Sequence, residues 1–149
     1  MSSLGLLAMM AGAAIAVQAG MNARLGVLLD NALMSTAIAF TASAVLTLMV
    51  VLVSTRQYPS FEVIRAVPTH LWTGGVLSSF GVALFYFLIP KMGVGNMMSF
   101  ALSGQILVAT LCSHLGWFDL PAKPVTHIKL IGLLCMIAGI VLVNLDLES

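Results

Sequence analysis

Charge is what this sequence has least of. Six Lys or Arg and five Asp or Glu make up 7% of 149 residues, where a water-facing domain carries about a quarter. So few charges cannot cover a solvated surface, which excludes an ordinary soluble domain and points to a protein embedded in the lipid bilayer. No basic run exists, so nucleic acid is not an expected partner. The acids Asp30, Glu62, Asp119, Asp146 and Glu148 all fall at the ends of apolar runs or between them. A carboxylate held at membrane depth is the usual proton carrier of a cation–proton exchanger. Its absence argues against that mechanism. Cysteine is scarce too: Cys112 and Cys135 lie in separate apolar runs without His or Cys at ligand spacing. They read as small core residues, with neither a disulfide nor a metal site expected. No Ser/His/Asp set or carboxylate pair sits at workable spacing, so neither an enzyme nor a cofactor is expected.

What is present is apolar: 60% of the chain is hydrophobic. Five runs separate cleanly, at about 4–25, 32–53, 71–89, 96–117 and 126–145. At about 1.5 Å per residue each is long enough to cross a bilayer. The expected fold is an all-α integral membrane protein, 1–149 forming a single transmembrane domain of five helices. The first run could pass for a signal peptide, but no Lys or Arg precedes it and more membrane follows. It reads as a retained first span.

That first run carries the most informative polar pair. Gln18 and Asn22 are four residues apart, so on a helix they stand one above the other, in line with Ala11, Ala14 and Leu25. A carboxamide unpaired in hydrocarbon costs several kcal/mol, so both should face protein or water. They are either interhelical glue or the polar wall of a substrate path. In the second run Ser35, Thr36, Thr41, Ser43 and Thr47 can bond back to their own helix and suit close packing. The connection 54–68 mixes Phe61, Val63, Ile64 and Val67 with Arg56, Glu62 and Arg65. With Ser60 as N-cap and Pro68 as stop, it predicts a short helix at the lipid–water boundary, or a lid over a ligand.

The third run opens with Trp72, suited to the interface, and ends near Tyr86, whose hydroxyl could reach the interface or a cavity. Gly74 with Ser78, and Gly75 with Ser79, are small residues at a spacing that admits another helix. A tight turn is expected over 90–96. In the fourth run Ser99, Ser103 and Thr110 share a face, while Gln105 looks another way with Met98, Ala101 and Cys112. His114 reads as a headgroup-level residue or a proton relay. In the fifth run Gly132 and Gly139 form a small-residue seam for a partner helix. With five crossings, Arg56, Arg65, Lys123 and Lys129 share a side with the N-terminus, against Arg24 and Lys91 opposite. The positive-inside rule then favours a cytoplasmic N-terminus, by a margin small enough to allow dual insertion.

Several segments, in order, resemble one known group. Val17-Gln18-Ala19-Gly20-Met21-Asn22-Ala23-Arg24-Leu25-Gly26 is similar to the Gln-x-x-x-Asn-x-x-Leu signature of its first helix. Pro90-Lys91-Met92-Gly93, Ser103-Gly104-Gln105-Ile106-Leu107, His114-Leu115-Gly116 and the stretch from Ile131-Gly132 to Ala138-Gly139 resemble later signatures. The group is the YdcZ-type family of short, five-helix bacterial membrane proteins in the drug/metabolite transporter superfamily. The resemblance implies an EamA-like half unit in the bacterial inner membrane. Such a half is expected to pair, as a homodimer, possibly antiparallel, or with a homologous half. It implies a substrate path near Gln18, Asn22, Gly104 and Gln105, and structural turns at Pro90, Gly93 and Gly116. The acidic residue that family members often carry before His-x-Gly is Ser113 here, which weakens a proton relay in the fourth helix. The expected function is a transporter protomer moving a small neutral, polar or amphipathic metabolite. It would be held by Gln18, Asn22, Ser103 and Gln105, with Tyr86 or Trp72 as apolar walls. The alternative is a non-transporting subunit that stabilises or regulates a partner complex.

Overall fold

A computed structural model describes residues 3–117 and 122–145. Asp119, Asp146 and Glu148 lie outside the described residues. The described residues form helices α1 (Ser3–Leu28), α2 (Ala32–Ser54), α3 (Phe61–Ala66), α4 (Gly74–Met92), α5 (Val94–Leu115) and α6 (His127–Leu145), with a 3-10 turn, Thr69–Thr73, leading into α4. Five segments are long and apolar enough to cross a membrane: α1, α2, Thr69–Met92, α5 and α6. None of the five contains Asp or Glu. Large apolar side chains stand exposed along them, Leu4 at 75% and Val53 at 89%. In water that surface would drive aggregation; in lipid it is the expected exterior.

The chain divides into two compact units, Met1–Lys91 and Met92–Ser149. In the first, α1 and α2 form the closest helix pair. Their turn is built from short polar residues. The N–H of Asn31 donates to Gly26 O at 2.9 Å and that of Asp30 to Val27 O at 3.2 Å. This closes α1 as a Schellman motif with Asp30 at φ +50°, a conformation Asp tolerates better than most residues. Asn31 then caps α2, its side-chain oxygen accepting from the N–H of Met34 at 3.0 Å. Asn31→Ala is expected to cost about 1 kcal/mol, measured as a lower unfolding midpoint in mixed detergent–SDS micelles.

The packed face of α1 is Ala19, Ala23 and Gly26, all buried at i, i+4 and i+7. At Gly26 it meets Ala32 and Ser35 of α2, where Ser35 and Thr36 are 0% and 6% exposed. Their hydroxyls donate to Ala32 O, and that of Thr41 to Ala37 O, as the hydroxyl-rich second run predicts. By contrast, a Cβ placed on Gly74 or Gly75 would meet nothing within 4 Å, so those small residues face open space in the single chain. Within the unit, the close-packing seam is the Ala–Ala–Gly face of α1.

The 54–68 connection contains the expected short helix, α3. Ser60 accepts from the N–H of Val63 at 3.4 Å, and the Arg65 guanidinium stacks 4.6 Å from the Phe61 ring. Trp72 belongs to the 3-10 turn rather than to the helix proper. The turn expected over 90–96 is shorter than the residues suggest: α4 runs through Pro90 to Met92 and α5 begins at Val94. Pro90 sits in the last turn of α4, where its missing N–H removes the bond that the Tyr86 carbonyl would otherwise accept. Gly93 alone makes the break, at φ +81° and ψ 156°, a region open essentially to glycine only. Gly116 ends α5 in the left-handed conformation.

In the second unit α5 and α6 pair. None of the described α6 residues is buried. Cys135 is exposed and Cys112 half-buried, both free, so Cys135 points outward rather than into a core.

Candidate functional site

Three polar side chains close on one another in the first unit. The Asn22 carboxamide donates both its protons, to Gln18 Oε1 at 2.8 Å and to Tyr86 Oη at 2.9 Å. The Tyr86 hydroxyl donates in turn to Gln18 Oε1 at 3.3 Å. The helical spacing of Gln18 and Asn22 makes the first bond, and the length of α4 carries Tyr86 to the same level. Tyr86 is 2% exposed, so its hydroxyl is at full depth in the unit and satisfied there.

The ring of bonds leaves two groups over. Gln18 keeps its Nε2 amide protons and Asn22 keeps its Oδ1, and among the described residues neither has a partner. Gln18 is exposed in the single chain. It lines a cavity of about 210 Å³ with Ala39, Phe40, Ser43, Val82 and Tyr86. Tyr86 also lines a second cavity, of about 270 Å³, beside the α1–α2 turn with Asp30, Asn31, Pro90 and Lys91. At that mouth the Lys91 ammonium sits 3.6 Å over the Phe87 ring, a cation–π contact. The cluster thus keeps an unused amide donor on Gln18, which lines the first cavity beside Phe40 and Tyr86, and an unused acceptor on Asn22, which is not among the lining residues of either cavity.

The other predicted path residues lie on α5, in the second unit. Ser103 bonds back to Ser99 O at 2.9 Å, so its hydroxyl proton is used within its own helix. Gly104 and Gln105 are exposed, and nothing approaches a Cβ built on Gly104. Three of the six, Gln18, Asn22 and Tyr86, are thus brought together. Trp72, the alternative apolar wall, is 63% exposed. His114 accepts the N–H of Val125 on Nδ1 at 3.3 Å, which ties the loop after α5 to that helix. Gly132 and Gly139 are both open to approach, with nothing within 4 Å of an added Cβ.

One polar residue was not singled out from the sequence. Asn144 donates to Ser99 Oγ at 3.0 Å and to Ile140 O at 2.7 Å, joining α6 to α5, while its Oδ1 is buried without a partner. An amide inside the last apolar run, level with the Ser99–Ser103 face, was the available signal.

No curated protein and no solved structure shows a significant match to the chain. A family model does: DMT_YdcZ, described as "Putative inner membrane exporter, YdcZ", matches residues 3–142. The match spans α1 to α5 and most of α6, including each ordered signature read from the sequence. With five apolar helices and a family of this description, the molecule is a multi-pass inner-membrane protein with a transporter-like role. The chain belongs to the DMT_YdcZ family.

Proposed function

We propose that the chain is a half-size transporter protomer that moves a small, net-neutral polar or amphipathic metabolite. The observation that carries this is the spare donor and acceptor of the Gln18–Asn22–Tyr86 cluster. The Gln18 amide stands beside a cavity, and an amide group left unpaired in lipid costs free energy that a bound solute would relieve. A solute with its own donor and acceptor would satisfy both. The lack of Asp and Glu in the five spans supports a neutral cargo, since no embedded carboxylate is there to balance a cation or carry a proton.

In this reading two protomers pair along the open Gly132 and Gly139 face, and access alternates as one half rocks against the other. Ser103, Gly104 and Gln105 would complete the path, and the N-terminus would be cytoplasmic. The test uses purified chain in liposomes and a panel of labelled neutral metabolites. Saturable flux of at least one is expected, reduced severalfold in Gln18→Ala. Flux indifferent to Gln18 and Asn22 alike would reject the path and leave a structural subunit. C-terminal reporter fusions address pairing: signal on both sides of the membrane supports opposed insertion, and signal on one side only restricts the pair to parallel copies or a homologous half.

A further inference from the structure

We propose that the cavity at the C-terminal end of α5 in the second unit is a binding site for a phosphate-type anion. It is independent of the path cluster and of what that cluster carries. The cavity, about 210 Å³, is lined by Ile106, Ala109, Thr110, Ser113, Lys123 and Lys129. Two lysines and two hydroxyl-bearing residues therefore line one space, and among the described residues no carboxylate lines it.

Local bonds hold this arrangement in place. The N–H of Lys123 donates to Ser113 O at 2.8 Å, and that of Val125 to His114 Nδ1 at 3.3 Å, so the segment carrying Lys123 is strapped back onto α5. Lys129, in the first turn of α6, uses its ammonium once, toward Pro124 O at 3.2 Å, and retains two further protons. Among the described residues neither lysine has a carboxylate partner. The hydroxyls are spare as well. On the same helix Ser99 and Ser103 bond back to Asn96 O and Ser99 O, as hydroxyls in apolar helices do. Those of Thr110 and Ser113 make no such bond.

Ammonium groups without a carboxylate partner, set beside half-buried hydroxyls that make no bond to their own helix, form a site rich in donors. A phosphate offers several acceptor oxygens and negative charge, and charge-assisted bonds to it are the strong kind. The cavity lies at the ends of two spans, the level at which basic pockets between membrane helices meet lipid headgroups. The same chemistry would hold a free phosphate.

The full chain in detergent, titrated with phosphatidylglycerol or phosphatidylcholine and read by native mass spectrometry, tests this. Inorganic phosphate is added separately and followed by ³¹P line broadening. Selective retention of phosphatidylglycerol is expected, weakened at least tenfold in Lys123→Gln/Lys129→Gln. Thr110→Val/Ser113→Ala, which leaves the charge unchanged, is expected to weaken it severalfold. Arg56→Gln/Arg65→Gln, which removes the same charge elsewhere, is expected to leave it intact. Broadening by inorganic phosphate with the same lysine dependence makes a free anion the ligand; lipid retention alone makes it a headgroup. Loss in the arginine variant equal to that in the lysine variant would show unspecific charge attraction and overturn the site. So would binding of neither probe.

Discussion

Asn22→Leu is expected to lower saturable solute flux at least tenfold while the protein still folds and inserts. The side chains are close in size, so the change removes hydrogen bonding more than volume. Two bonds are lost, to Gln18 Oε1 and to Tyr86 Oη. Such bonds between membrane helices average about 0.6 kcal/mol and reach about 1.7. Their loss costs about 1–3 kcal/mol, and leucine in an apolar setting offsets part of it. A solute bound through Asn22 Oδ1 and Gln18 Nε2 loses one partner outright, and the other is no longer positioned. A tenfold effect needs only about 1.4 kcal/mol. Tyr86→Phe separates the roles: it removes one bond from the ring but leaves both spare amide groups, so flux should fall less than in Asn22→Leu. A stable Asn22→Leu protein with unchanged flux would mean the cluster is glue.

Gly26→Val should produce the largest loss of stability. A Cβ at this position would lie 3.0 Å from Ser35 Oγ and 3.3 Å from the Cα of Ala32. The first neighbour is fully buried and bonded to Ala32 O; the second is backbone at the start of α2. The Ser35 hydroxyl could turn only by giving up its bond to Ala32 O, and the Ala32 backbone cannot move without opening the α1–α2 turn, so the overpacking cost is expected at about 3 kcal/mol, the upper part of the usual range. Unfolding in mixed detergent–SDS micelles would show it as a midpoint shift well beyond that of Asn31→Ala. Gly104→Ala is the matched control. Nothing lies within 4 Å of its added Cβ, and alanine is the better helix former by about 1 kcal/mol. That variant should be neutral or slightly stabilised. Equal losses in the two variants would mean that helix propensity, and not close approach, governs glycine here.

The number and extent of the spans were legible because lipid imposes a length and a composition on any helix that crosses it. The cap at Ser60 was legible for a similar reason, since it depends only on residues a few positions apart. The same locality paired Gln18 with Asn22. Their third partner was not legible as such. Tyr86 is 64 residues from Asn22, and nothing local says that its hydroxyl meets an amide rather than the interface. The packing face of α1 was hidden for a different reason. Where nearly every face of a helix is apolar, period alone cannot distinguish the Ala19–Ala23–Gly26 seam from the glycine pairs of α4 and α6.

Local chemistry and the bilayer thus determined the class of molecule: five apolar helices, few charges, no acid in a span, and a pair of amides one turn apart. Tertiary structure alone decided which small residues touch, that Tyr86 closes the amide pair into a ring, and that one donor and one acceptor remain unused. It also decided that Thr110, Ser113, Lys123 and Lys129 line one cavity. Those outcomes depend on how side chains far apart in the chain come to lie, and hydrogen bonds a few ångströms long cannot be read from spacing along a single helix.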